Sequence, residues 1–67
     1  MEGSVAKKIR NFRNIKGITQ GELARETDLS RNTIVNFETE RRDPRVRDLR
    51  KIARALGVPI EQLLTDE

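Results

Sequence analysis

Between Thr19 and Glu38 the chain reads TQGELARETDLSRNTIVNFE, and this stretch constrains the fold more than any other. Thr19 followed three residues later by Glu22 is a capping-box signature for a helix start. Ser30 is a second strong N-cap, eleven residues further on. Only a tight turn fits between the two helices they open. In the first, Leu23 and Ala24 point inward. Gly21 is a poor helix residue, by up to about 1 kcal/mol against alanine in a helix interior and less in a first turn. It either carries that small penalty or makes room for another backbone.

In the second helix, stepping about 100° per residue places Ser30, Ile34 and Phe37 on one side. Asn32, Val35 and Asn36 lie roughly opposite, with Arg31 and Thr33 on the flanks. The apolar side packs, and the exposed side is rich in amides. Asparagine is an indifferent helix former, so helix stability does not explain its use there. Amide side chains suit bidentate contact with adenine and arginine suits guanine, both on the major-groove edge of a base pair. Arg31, Asn32, Thr33 and Asn36 are therefore candidate base readers. Thr33, at the third helical position, has a second possible role in supporting the Ser30 cap, and Val35 a possible contact with a thymine methyl.

The remaining pattern is helical too, and no alternating strand pattern occurs. A first helix starts after Ser4, with Val5, Ile9 and Phe12 on one face, and stops at Gly17 in the left-handed position glycine tolerates. Ile18 and Leu29 add to the core. TERRDP, residues 39–44, breaks the pattern. A fourth helix carries the stripe Val46, Leu49, Ile52, Ala53 and Leu56 and ends at Gly57. Ile60, Leu63 and Leu64 form a last short turn, in which Leu64 is free to serve a dimer contact. Thr65–Glu67 is expected to fray. The expectation is an all-α, compact five-helix unit, one domain over residues 1–67 with its two-helix motif at about 19–39.

Composition narrows the chemistry. A chain of 67 residues buries only about 60% of its unfolded surface, so modest stability is expected. Without cysteine or histidine it lacks thiolates, the commonest metal ligand and the commonest general base. No metal, cofactor, small-molecule ligand or enzymatic activity is expected. No apolar run approaches the roughly 20 residues needed to span a bilayer, and the N-terminus has no signal-peptide core. A cytoplasmic, reducing location and no membrane partner fit these features. The net charge of +3 is unevenly spread: +4 over residues 1–18, −3 over 19–40, +5 over 41–54 and −3 over 55–67. Basic blocks thus flank the amide-rich helix, which favours a polyanion partner. Arg47, Arg50, Lys51 and Arg54 fall on the polar face of the fourth helix and are expected to be simply solvated.

The pieces FRNIKGITQGELA, LSRNTIVNFE and LRKIARALGVPIEQLL, in this order and spacing, resemble the phage-repressor and Cro-like (XRE-type) helix-turn-helix family over about residues 5–64. The resemblance implies a lambda-repressor-like DNA-binding domain whose third helix, about Ser30–Thr39, enters the major groove. It assigns base reading to Arg31, Asn32, Thr33 and Asn36. It assigns phosphate contact to Gln20 and backbone contact to Arg41, Arg42 and Arg45. It makes Arg13 and Glu38 an ion pair tying helix 1 to the end of helix 3. The function it implies is a sequence-specific double-stranded DNA regulator, repressor-type, acting as a weak homodimer on a roughly palindromic operator. The alternative is a protein-interaction module, antitoxin-like, that keeps the fold without reading DNA.

Three positions depart from the family pattern. Asp28 and Glu40 stand where glycine is usual and where φ is expected to be positive, a conformation aspartate tolerates better than glutamate. Either the loops are remodelled or the chain carries local strain. Glu40 also brings a negative charge to the expected phosphate track. Arg45 stands where a small capping residue usually begins helix 4.

Overall fold

The computed structural model describes residues 4–64. The expected behaviour of Thr65–Glu67 falls outside them. Five helices follow one another: α1 (Val5–Lys16), α2 (Gln20–Thr27), α3 (Arg31–Glu38), α4 (Val46–Leu56) and α5 (Glu61–Leu64). Among the described residues no helix is long and apolar enough to cross a membrane.

The helix starts follow the capping residues. Ser4 Oγ accepts from the Lys7 amide at 3.0 Å, and Ser30 Oγ accepts from the Thr33 amide at 3.0 Å. At α2 both halves of the capping box form: Thr19 Oγ1 accepts from the Glu22 amide at 3.0 Å, and Glu22 Oε1 accepts from the Thr19 amide at 2.8 Å. Arg45 has no side-chain acceptor to offer the α4 terminus. Asp48 reaches back instead, taking a long 3.4 Å bond from the Arg45 amide.

The helix ends share one device. α1, α2, α3 and α4 are each followed by a left-handed residue: Gly17, Asp28, Glu40 and Gly57, with φ of 78°, 62°, 64° and 75°. In every case the next amide reaches back to a carbonyl five residues earlier: Ile18 to Arg13, Leu29 to Ala24, Arg41 to Asn36 and Val58 to Ala53, at 2.9 to 3.2 Å. These are Schellman turns, which satisfy the last carbonyls of a helix by turning the chain sharply. The loops at Asp28 and Glu40 are thus not remodelled; they keep the turn glycine usually serves.

α2 packs on α3 and α4, and α1 packs on α3, α4 and α5. The core is built from Ile9, Leu23, Ile34, Phe37, Ile52 and Leu63, all essentially inaccessible. Leu49, Ala24, Ala53 and Leu56 complete it, with Val5, Phe12, Ile18, Leu29 and Ile60 packed around the edge. One core expectation fails: Val46 is 56% exposed. It is the first residue of α4, and helical side chains lean toward the N-terminus, so it projects past the elements α4 packs on. Three buried residues lay outside the apolar pattern. Ala6 is one. Glu38 is another. The third is Thr27, whose hydroxyl donates to the carbonyls of Leu23 and Ala24 at 2.8 and 3.1 Å and so enters the core satisfied. Gly21 serves no backbone approach; a methyl there would meet only side-chain atoms of Thr19 and Arg31 at 3.8 and 3.9 Å.

Candidate nucleic-acid interface

The candidate interface is organised around one buried carboxylate. Glu38 closes α3 and is 2% exposed. An unpaired carboxylate at such a site costs several kcal/mol, so its partners matter. Arg13 of α1 meets it edge to edge: Nε donates to Oε2 at 2.7 Å and Nη2 to Oε1 at 3.0 Å. The third guanidinium nitrogen, Nη1, donates to the Ile18 carbonyl at 2.9 Å. The hydrogen bond to Glu38 raises the Arg13 pKa above its already high ordinary value, outweighing burial, which acts the other way. Arg10 adds a bond from Nη1 to the Glu38 backbone carbonyl at 2.9 Å, capping the end of α3.

Gln20 joins the same centre. Its Nε2 donates to Glu38 Oε1 at 3.1 Å from the first position of α2. A carboxylate only accepts, so this bond fixes which way the amide lies. One N–H of Gln20 is committed to Glu38 and the second remains available. Four side chains from α1, α2 and α3 are therefore locked together, and the tilt of α3 against the start of α2 is set by them.

On the outer side of α3, Arg31 and Asn32 are exposed, while Asn36, Thr33 and Val35 are half-buried. The Thr33 hydroxyl lies 2.8 Å from Ser30 Oγ, so its nearest partner is the cap beside it. Arg31, Asn32 and Asn36 have polar ends that no intramolecular bond occupies among the described residues. Their side chains present five-donor and donor–acceptor groups in one strip of a little over one helical turn.

The loop after α3 carries the basic candidates. Arg41, Arg42 and Arg45 are all exposed. The Arg42 guanidinium stacks over the Phe37 ring, 5.8 Å from its centroid, which anchors that side chain on a core aromatic. The amides of Arg41 and Arg42 both donate to the Asn36 carbonyl, at 2.9 and 3.2 Å, so the loop is held to α3 by its backbone. Glu40 stands between α3 and the two arginines, exposed and in no ion pair among the described residues.

Sequence reasoning placed Gln20 at a phosphate and did not foresee its bond to Glu38. The 18-residue separation carries no local signal. Arg10 was missed in the same way.

Comparison with known proteins places this geometry. Residues 9–63 match the helix-turn-helix family. An uncharacterized HTH-type transcriptional regulator of Archaeoglobus fulgidus is 43% identical over 56 residues, covering 84% of this chain and 80% of that protein. The immunity repressor of Bacillus phage phi105 is 30% identical over 64 residues; the match takes in 96% of this chain but 44% of the repressor. A crystal structure of a hypothetical transcription factor from Neisseria superimposes with a TM-score of 0.90 at 37% identity, over 97% of this chain and 75% of that one. A family match across most of the chain, with relatives on this scale of identity, has one meaning: the chain belongs to the XRE-type helix-turn-helix family.

Proposed function

We propose that this helix-turn-helix regulator reads duplex DNA with the outer face of α3 in the major groove, as a two-fold dimer, and acts as a repressor. The observation that carries the reading is the open strip of Arg31, Asn32 and Asn36 on a helix whose end is pinned by Glu38. A reader must be rigid to discriminate bases, and four interlocked side chains supply that rigidity. Asn32 and Asn36 act on adenine edges and Arg31 on guanine. Thr33 contributes through the cap and through its methyl group. Gln20, with its second amide N–H, and the exposed Arg41, Arg42 and Arg45 bind phosphates, fixing register without reading sequence. The Arg13–Glu38 pair is architectural.

The domain over residues 1–67 works as one unit in the cytoplasm, without cofactor or catalysis. In a dimer the two α3 helices enter successive major grooves about 34–36 Å apart, so the operator is roughly palindromic. Repression is steric: an occupied operator near a promoter excludes polymerase. The immunity repressor among the relatives supports that direction of control.

One observation favours a second reading, a partner-binding module that keeps the fold. Glu40 places an unpaired carboxylate where phosphate is expected. Selection of bound duplexes from a random pool at about 150 mM salt decides between the two. Enrichment of a two-fold symmetric site is the expected result. A folded protein that enriches nothing leaves the partner-binding module.

A further inference from the structure

From the charge pattern of α4 we infer a second DNA contact surface, separate from the strip on α3: Arg47, Arg50, Lys51 and Arg54 bind phosphates outside the groove that α3 reads. The inference rests on the reading of the protein as a DNA binder.

The four cations recur at i, i+3, i+4 and i+7, so they occupy one stripe about 100° wide. All four are exposed, and none of their side chains takes part in an ion pair or hydrogen bond among the described residues. α4 turns its opposite face, Leu49, Ile52, Ala53 and Leu56, to the core. The stripe thus leaves the protein unopposed.

That arrangement is costly for the isolated domain. Arg47 with Lys51 and Arg50 with Arg54 are like charges at i, i+4. Arg47 with Arg50 and Lys51 with Arg54 are like charges at i, i+3. Each pair is mildly destabilising to an isolated helix. Arg47 also sits in the first turn, where the helix dipole disfavours a cation. The exposed face of α2 shows the ordinary alternative, with Glu22, Arg25 and Glu26 intermixed. A merely solvated face does not call for four uncompensated positive charges; a polyanion does.

Position points to nucleic acid rather than an acidic protein. The stripe continues the basic run of the α3–α4 loop, from Arg41 and Arg42 through Arg45 into α4. From Arg45 to Arg54 the helix rises roughly 13 Å, the axial length of about four base pairs. At the near end the acids are Asp43 in the loop and Asp48 in the first turn of α4, which is half-buried and turned back to the Arg45 amide. Other acids stand at the far end. There Lys51 and Arg54 share a shallow depression with Lys16, Glu26 and Asp28, and Lys16 lies 3.9 Å from Glu26. Seven cations against Asp43 and Asp48 still leave residues 41–54 at +5.

The test is the salt dependence of binding. Arg47, Arg50, Lys51 and Arg54 are replaced together by glutamine, which keeps helix propensity. Binding to a random-sequence duplex and to the selected operator is followed by fluorescence anisotropy from about 50 to 200 mM salt. Each lost phosphate contact lowers the slope of log K against log salt by about 0.9. The expected result is a slope shallower by about 2–4 on both duplexes, with the ratio of operator to random affinity kept. A slope unchanged within about 0.5 overturns the inference and leaves the stripe to an acidic protein partner. If the unaltered protein binds neither duplex, the DNA reading itself fails, and that result is distinct. Circular dichroism confirms the fold; should the fourfold variant not fold, Arg50→Gln with Arg54→Gln is expected to lower the slope by about half as much.

Discussion

Replacing Glu40 by glycine separates backbone strain from charge. Glu40 has φ of 64° and occupies the left-handed position of the turn that ends α3. For a side-chain-bearing residue that conformation costs about 1–2 kcal/mol, because Cβ crowds the following carbonyl. Glycine removes the clash but loses about 0.4–1 kcal/mol through the greater freedom of its unfolded chain. The balance is a gain of about 1 kcal/mol, which in a domain of this size raises Tm by about 4–8 °C. Glu40→Ala is the control: it removes the carboxylate and keeps Cβ, so it leaves the strain in place. Far-UV circular dichroism melts of the three proteins read the strain. Affinity for a fixed duplex reads the charge, and there both variants are expected to bind more tightly, since each removes the same repulsion from phosphate. A Glu40→Gly protein that melts no higher than Glu40→Ala refutes the strain argument.

Asp28→Gly tests the same turn at the end of α2, where φ is 62°; aspartate tolerates this region, so the rise in Tm is expected to be smaller than at Glu40. Arg13→Ala strips the two charged hydrogen bonds from buried Glu38 and leaves only Gln20 on its carboxylate; a loss of about 3 kcal/mol is expected in a denaturant titration. A domain of this length holds roughly 3–10 kcal/mol in all, so a loss under about 0.5 kcal/mol rejects the pair as the organiser of α3. Asn32→Ala with Asn36→Ala is expected to cut the preference for operator over random duplex by about 1–3 kcal/mol per base pair read, with the salt slope unchanged. Equal losses on both duplexes with intact folding make these residues positioning contacts.

The cation stripe of α4 and the strip on α3 held by Glu38 offer two physical kinds of chemistry. α3 offers few, fixed, directional groups, and α4 offers charge without direction. On the proposed reading, specificity rests on the first and salt-sensitive affinity on the second.

The sequence alone determined the helix count, the starts at Ser4, Thr19 and Ser30, and the left-handed stop at Gly17, and it left open whether Asp28 and Glu40 keep such a turn or sit in remodelled loops. Each is a contest among groups a few residues apart: a hydroxyl against an amide, or a Cβ against the next carbonyl. The 3.6-residue period likewise told which face of α3 is open. Only the tertiary structure decided what needs a second helix. Val46 has the right phase for the core and yet is exposed, because as the first residue of α4 it leans past the elements that helix packs on. Thr27 looks polar and is buried, because its own helix satisfies the hydroxyl. Arg10 and Gln20 look like surface residues and join the Arg13–Glu38 pair that the family resemblance implied, because α1 and α2 pack on α3 there. The period of a helix fixes the direction of a side chain, but only packing fixes what it meets.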